Sequence, residues 1–448
     1  MFRKVLVANR GEIAVRVLRA CRELEITGAA IVSEADREAL HARLADEVHV
    51  CGPAPALQSY LALERIVEIA ERVGADAIHP GYGFLAENAA FADLCAKRGI
   101  RFVGPAGDVI RAMGSKLESR RVMAAAGVPV VPGSDGPVSD ADAPGAARAL
   151  GFPVLVKASA GGGGRGMRIV RDESKLADAL ARGRGEALRA FGDDTLYLEK
   201  LLDGPRHVEV QVLGDGRGSV IHCFERECSI QRRHQKLLEE APARIDDAMR
   251  SRLGEAALAA ARAVGYEGAG TVEFLLDAHG RFYFLEMNTR IQVEHPVTEA
   301  ITGIDLVKAQ LRIAAGEPLE VGQREVSLHG HAIEVRIYAE DPDRKFLPSP
   351  GRITRWRPPG GIGVRLDAGV EAGDAVTVHY DPLLAKLVAW GRDRPEAIAR
   401  LRGALDEFAL EGVKSTLPFH RRVVRDPVFR EGRYDTGFVE YLLGGSGA

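Results

Sequence analysis

Cysteine is scarce, with five in 448 residues at positions 21, 51, 95, 223 and 228, and neither a CxxC pair nor zinc-ligand spacing occurs. An odd, scattered set excludes a disulfide framework and reads as the reduced thiols of a cytosolic protein. Charge of one sign is lacking too: 60 Lys and Arg stand against 63 Asp and Glu, a formal net charge of -3. No basic excess exists to neutralise a phosphate backbone, which disfavours nucleic acid as a partner. Long apolar runs are missing. The opening MFRKVLVANRGE has only four apolar residues after its basic pair, too few for a signal peptide. The uncharged stretch 48–63 is broken by Pro53 and Pro55, whereas a membrane span needs about 18 or more apolar residues. No Gly-Lys dipeptide is present, so a Walker-type phosphate loop is excluded, and no internal repeat is visible. Lysine is rare as well, 49 of the 60 basic side chains being arginine, which makes the lysines inside glycine-rich or polar motifs more informative than usual. What remains is ordinary globular composition, 46% hydrophobic and 27% charged, in a length that suggests about three domains.

Short apolar strands alternate with helical patterns from residue 1 to about 112. Strands are expected at 4–8, 29–33, 48–51, 77–79 and 102–103, with helices opening at Gly11 and spanning 61–72. This βαβ rhythm predicts an α/β protein whose N-terminal domain is doubly wound and Rossmann-like, with ligand-facing loops at the strand carboxyl ends. A Pro-, Gly- and Asp-rich stretch at 127–145 marks a boundary. Strands at 154–157, 167–170 and 196–199 then suggest a small separate module. Further strands are expected at 207–213, 220–226, 271–276 and 281–287, with a helix near 249–264. The last 115 or so residues read as a third unit, a mixed sheet with strands at 331–339, 351–355, 364–367 and 375–380. A helix follows the capping-box spacing Asp393-x-x-Glu396.

The chemistry concentrates in a few segments. Residues 161–166 read GGGGRG, and Gly161, Gly163 and Gly166 fit GxGxxG. That fingerprint requires a helix opening at the glycines, yet an apolar strand signal follows, so the loop reads as a hairpin tip able to fold over a phosphate, with Lys157 before it as a cation. In the hairpin 271–288, an even loop count would put Glu273 on one face with Glu286 and Asn288. Such hard oxygen ligands suit Mg²⁺ bridging to phosphate oxygens. If 286–294 is extended, Glu286, Asn288, Arg290, Gln292 and Glu294 point the same way, an arginine fork for a planar oxyanion with Glu294 as its base. The charge run 225–240 (ERECSIQRRHQKLLEE) reads by itself as a solvated face, and His207 and His234 singly as structural. Arg336 lies opposite the apolar face of Ile333, Val335 and Ile337, with an outward salt bridge to Glu334 as its plain alternative. Cys228 reads as inert.

Six strings in order, VANRGEIA (7–14), HPGYGFLAEN (79–88), VKASAGGGGRGMR (156–168), RRHQKLLEEAP (232–242), EMNTRIQVEHPVTE (286–299) and FLPSPGRI (346–353), resemble biotin carboxylase, an ATP-grasp ligase, over nearly the whole chain. The resemblance implies an N-terminal domain at 1–112, an ATP-grasp domain at 113–328 with a mobile lid at about 131–201, and a C-terminal domain at 329–443. It implies that Lys116 and Lys157 bind ATP phosphates beneath the lid loop of Gly161, Gly162, Gly163, Gly164 and Gly166. Glu199, Lys200 and Leu202 would form the adenine hinge, with His207, Gln231, His234 and Leu275 at further nucleotide positions. Glu273, Glu286 and Asn288 would hold Mg²⁺ or Mn²⁺. Lys236, Arg290, Gln292 and the Val293 backbone would form the bicarbonate pocket, Glu294 the base, Arg336 the group stabilising the biotin enolate, and Tyr82 part of the biotin wall.

By the same resemblance, the function is ATP- and bicarbonate-dependent carboxylation of biotin through carboxyphosphate, for a biotin-dependent carboxylase such as acetyl-CoA carboxylase. No Met-Lys-Met occurs, so the biotin is expected on a separate carrier protein, and a carboxyltransferase is the other expected partner. Arg16, Arg19 and Glu23 resemble dimer contacts, although a solvated helix face explains them nearly as well. The pattern departs from relatives at Pro382 and Tyr338, neither an assigned catalytic position. A nicotinamide oxidoreductase, another ATP-grasp carboxylate ligase and a non-catalytic nucleotide sensor are the rival readings. The acyl acceptor is not legible.

Overall fold

The computed structural model describes residues 1–159 and 167–444, so the readings made for Gly161, Gly162, Gly163, Gly164 and Gly166 lie outside the described residues. The protein is α/β. Its first sheet is parallel, with β1 (Lys4–Val7), β2 (Thr27–Ser33), β3 (Glu47–Gly52), β4 (Ala77–His79) and β5 (Arg101–Phe102) in the order β3-β2-β1-β4-β5. Near-continuous apolar runs form β1 and β2 because both sheet faces are covered by helices. Strand order reverses between β1 and β4, and there the two following loops meet. Asn9 Nδ2 donates to the carbonyls of Pro80 (2.7 Å) and Tyr82 (2.8 Å), fixing Tyr82 at the switch point where α/β sheets bind ligands.

A small antiparallel sheet follows, β6 (Val154–Ala158), β7 (Arg168–Val170) and β8 (Leu196–Lys200) in the order β7-β6-β8. Val154, Val156, Leu196 and Leu198 give it a core of its own with Ala143, Ala147 and Leu180 from the flanking helices.

The largest element is an eight-stranded antiparallel sheet. Its strands are β9 (Arg206–Asp215), β10 (Val220–Arg232), β11 (Gln235–Ala241), β12 (Glu267–Leu276), β13 (Phe282–Asn288), β14 (His331–Tyr338), β15 (Val364–Ala368) and β16 (Leu383–Gly391), ordered β13-β12-β9-β10-β11-β14-β16-β15. Hydrogen bonding passes without a break from β11 to β14 through Leu238↔Val335, so the sheet runs straight across the boundary expected near residue 328. On one face Ile333, Val335, Ile337 and Leu387 share a core with Leu401 and Leu405 of the helix Arg394–Glu407. On the other, Ala241, Ala332 and Val388 pack on Val297 and Ile301 of the helix His295–Thr302.

Several expectations are corrected here. The 225–240 charge run is no solvated face. It forms most of β10 and β11 in mid-sheet, with Glu225, Arg226, Glu227, Glu239 and Glu240 all buried. The strand expected at 375–380 pairs only over Ala375–Val376, and 351–355 divides into Gly351–Arg352 and Arg355–Arg357. Asp393 does cap its helix, accepting from Glu396 N at 2.9 Å. No helix among the described residues is long and apolar enough to cross a membrane. All five cysteines are free and buried.

Candidate active site

One cleft of about 2160 Å³ lies between the switch-point loops, the small sheet and the large sheet. It is lined by Tyr82, Lys116, Lys157, Glu199, Lys200, Leu202, His207, Gln231, His234, Lys236, Glu273, Leu275, Glu286, Asn288, Arg290, Gln292, Val293 and Arg336. Of the predicted residues that are described, only Glu294 is off the wall; it is fully buried behind Lys236 and Arg336.

Strand register builds the site. In the β12–β13 hairpin the loop between paired ends, 277–281, has an odd count, which alone would set Glu273 against Leu285. A bulge shifts the register so that Glu273 opposes Glu286 and Thr271 opposes Asn288. Glu273 also opposes Glu209 on β9, and Glu209 opposes Arg226 on β10. Four strands thereby align Glu286, Glu273, Glu209 and Arg226 in one row. Arg226 has no solvent exposure and is satisfied throughout: Nε donates to Glu209 (2.6 Å), Nη1 to Gln211 (2.8 Å) and Thr298 (3.0 Å), Nη2 to Thr271 (2.9 Å).

Lys236 stands at the centre. Its Nζ reaches Glu209 (2.5 Å), Glu273 (3.0 Å) and Glu294 (2.6 Å). It points there because the β10–β11 register skips Leu237, which leaves Leu237 and Leu238 in the apolar core and Lys236 with Glu239 on the polar face. The two residues at the tip of that turn, Arg233 and His234, have φ of 48° and 66°, as a tight two-residue hairpin requires.

The segment after β13 is not extended. The strand ends at Asn288, the chain bends, and Glu294 stands at the residue before the helix His295–Thr302, with its side chain turned to Lys236 and Arg336 rather than to the helix end. Convergence is reached through hydrogen bonds instead. Arg290 donates to Asn288 (2.9 Å), Gln292 (2.9 Å) and Glu87 (2.9 Å), while the Gln292 and Asn288 amides donate to Glu273 Oε1 at 3.0 and 2.9 Å. His207 Nε2 lies 2.9 Å from Glu273 Oε2.

Arg336 does not pair outward with Glu334, which is wholly buried. Its Nε donates to Glu239 (2.6 Å) and its Nη2 to Glu294 (2.9 Å), and Nη1 reaches the Tyr338 hydroxyl at 3.5 Å. The Tyr338 departure therefore touches an assigned residue after all. Arg336 opposes Lys386 on β16, whose Nζ donates to the Val293 carbonyl (3.0 Å) and pairs with Glu12 (3.0 Å); Tyr82 donates in turn to Glu12. At the other end Lys157 donates to Glu199 (2.7 Å), and Lys200 to the Gly151 carbonyl (2.7 Å).

The electrostatics follow this wiring. Burial would raise the Glu294 carboxyl, but Lys236, Arg336 and Arg226 outweigh it and hold it well below the ordinary range. Glu273 is lowered likewise, burial being outweighed by Lys236 and His207. Glu286 moves the opposite way, raised by burial and by Glu273 and Glu87, and it accepts no hydrogen bond among the described residues. Burial and Lys157 lower the nearby Lys116 ammonium. Glu273, Glu286 and Asn288 thus offer hard oxygen donors from facing strands, with Glu286 in no ion pair among the described residues, a donor set that fits a divalent ion. Glu209, Glu239, Glu87, Glu12 and Lys386 are site residues that sequence reasoning missed. Glu209, Glu239 and Lys386 lie on buried strands, Glu12 on the buried face of the helix Gly11–Glu23, and Glu87 in an exposed turn after β4, and none of these placements has a signal in the sequence pattern.

Two buried lysines, a facing acid pair and an arginine held between amide oxygens share one cleft with a small separate sheet, an arrangement in keeping with an ATP-grasp ligase. The biotin carboxylase N-terminal domain model matches residues 1–110, the carbamoyl-phosphate synthase L chain ATP-binding domain model 115–321, and the biotin carboxylase C-terminal domain model 334–441. The chain is 53% identical over 447 residues to the biotin carboxylase of Pseudomonas aeruginosa, covering 99% of each. It is 51% identical over 443 residues to biotin carboxylase 1 of Bacillus subtilis, covering 98% of each. The biotin carboxylase domain dimer of Hydrogenobacter thermophilus 2-oxoglutarate carboxylase, solved with MgADP, ADP and bicarbonate, superposes with a TM-score of 0.95 at 51% identity over 98% of each chain. The chain belongs to the biotin carboxylase family.

Proposed function

We propose that the chain carboxylates biotin at the expense of ATP and bicarbonate, as the first half-reaction of a biotin-dependent acyl-CoA or pyruvate carboxylase. The observation that carries this reading is the continuous charge path from Glu273 and Lys236 on the cleft wall through the buried Glu294 to Arg336, which would join a divalent-ion donor set to an oxyanion pocket. Lys116 and Lys157 would neutralise the triphosphate, and the hinge at Glu199, Lys200 and Leu202 would hold adenine with His207, Gln231, His234 and Leu275 nearby. Glu273, Glu286 and Asn288 would hold magnesium or manganese, which when bound offsets charge on the transferring phosphoryl group.

Arg290, Gln292, Lys236 and the Val293 backbone would hold bicarbonate in line with the γ-phosphorus. A bicarbonate that takes over the Lys236 hydrogen bond frees Glu294 Oε1 to accept its proton. The bicarbonate oxygen then bonds to phosphorus, ADP leaves, and carboxyphosphate forms. Its breakdown gives CO₂ and phosphate; phosphate removes the ureido proton of biotin, and the nitrogen attacks CO₂. Arg336 offsets the charge on the biotin oxygen beside Tyr82. The 131–201 region, which carries its own core, would close over the cleft as a lid and exclude water. The domain divisions 1–112, 113–328 and 329–443 belong to the same reading.

The biotin donor would be a separate carrier protein, with a carboxyltransferase as second partner, in the cytoplasm, where five buried thiols stay reduced. A homodimer fits the family. Arg16, however, lies buried within the chain, paired with Glu299 (2.9 Å) and Asp305 (2.6 Å), and Glu23 pairs with Lys308 (2.5 Å). Bicarbonate-dependent ATP hydrolysis accompanied by carboxylation of free biotin tests the proposal; hydrolysis indifferent to bicarbonate would overturn it.

A further inference from the structure

Among the buried carboxyl groups that take no part in the proposed reaction, two face each other. Glu239 on β11 and Glu334 on β14 are direct partners across an antiparallel pair, both without solvent exposure. The Cβ atoms of such partners lie about 4.5–5.5 Å apart on the same face, well within reach for two glutamates. Glu239 Oε1 accepts from Arg336 Nε. Its Oε2 and both oxygens of Glu334 have no hydrogen-bond partner among the described residues.

The neighbouring cations are committed elsewhere. Arg336 is held between Glu239 and Glu294, and Lys386, from β16, between Glu12 and the Val293 carbonyl. The residue opposite Glu334 on β16 is Val388, which brings no charge. Two ionised carboxylates side by side without a cation for the second would be strongly unfavourable in a dry interior. One proton removes the conflict: a Glu334 hydroxyl donating to Glu239 Oε2 satisfies two atoms that otherwise lack partners.

We propose that Glu239 and Glu334 share a single proton, and that Glu334 is thereby a positioning residue that braces Glu239 against Arg336 for the biotin half of the reaction. Arg336 and Tyr338 line the cleft, whereas Glu239 and Glu334 do not, so the pair acts only through the guanidinium it orients. Burial and the adjoining Glu239 push the Glu334 carboxyl up against the opposing pull of Lys386 and Arg336, in agreement with a neutral acid there. The functional half of this inference rests on the role proposed for Arg336 in biotin carboxylation; the shared proton does not.

The test has two arms. In the first, Glu334→Leu should lower kcat for free-biotin carboxylation by about tenfold or more, the loss expected when a hydrogen bond to a charged group disappears. The KM for ATP and bicarbonate-dependent ATP hydrolysis without biotin should stay unchanged, and Glu334→Gln, which retains a donor toward Glu239, should recover most of the lost turnover. Equal damage from Leu and Gln, or full activity in a folded Leu variant, would overturn the positioning role. In the second arm, the infrared difference spectrum of the full chain at neutral pH, wild type minus Glu334→Gln, should contain the carbonyl stretch of a protonated carboxylic acid. Its absence would overturn the shared proton even if Glu334→Leu fails to fold. A chain with that band but no bicarbonate-dependent hydrolysis would fail the proposed function and leave the proton pair standing.

Discussion

The two ends of the cleft solve the same electrostatic problem in opposite ways. At the Lys116 and Lys157 end, Glu286 and Glu273 face each other across a hairpin, and Glu286 makes no ion pair among the described residues, so its carboxyl is raised by burial and by Glu273 and Glu87. At the far end every cation is already engaged: Lys236 by three acids, Arg336 by two, Lys386 by Glu12. An open acid pair would take up a metal; a closed network would keep its groups in place before substrate enters. The first end is a receptor and the second a template, and substitutions should separate them.

Glu294→Gln should have the largest effect, about 10²-fold or more on turnover, as for loss of a general base, with ATP binding nearly intact by titration; undiminished turnover would remove Glu294 from the mechanism. Arg336→Ala comes next and should impair biotin carboxylation more than ATP affinity, so equal losses in the two assays would erase the distinction between the ends. At the receptor end, Lys157→Ala should weaken nucleotide binding by about 1.5–3 kcal/mol, the range for hydrogen bonds to charged groups, read by calorimetry. Glu286→Gln should raise the magnesium concentration needed for half-maximal ATP hydrolysis and leave the bicarbonate KM alone.

The smallest effect concerns the template's support. The Arg336 carbonyl accepts from Thr416 Oγ1 (2.9 Å) and from the His420 ring nitrogen Nε2 (2.8 Å). Burial lowers His420 to about 4. Between that value and its ordinary one near 6.5 the unfolded chain binds the extra proton, so folding stability falls as pH drops through this window. His420→Gln should flatten that slope by about 1.4 kcal/mol per pH unit, measured by denaturant titration at a series of pH values; an unchanged slope would show that His420 is already charged in the fold.

The two ends also differ in how much of them can be read from the chain alone. The parallel sheet is legible because its central strands are apolar runs between helices. Glu273, Glu286 and Asn288 do share one face, but through an odd loop and a bulge, not the even loop that the sequence suggests. The template end hides behind irregular strands. Phe224 has φ of 64° where β10 shifts against β9, and the skip at Leu237 puts two leucines on one face and Lys236 with Glu239 on the other. A further shift between Glu227 and Ile230 and the one at Leu237 break the period-2 pattern within 225–240, so a buried charge network looks like a wet surface. Glu209 and Lys386 stay hidden for a simpler reason. Lys386 is the one charge in an otherwise apolar strand, Glu209 alternates with valines as a half-exposed strand would, and only the partner strands show what each meets.

In the proposed reaction bicarbonate attacks the nucleotide's terminal phosphorus within the pocket formed by Lys236, Arg290 and Glu294. Turnover with oxygen-18-labelled bicarbonate, ATP and free biotin should leave one bicarbonate oxygen in the released phosphate together with carboxybiotin; phosphate free of the label would rule out that attack.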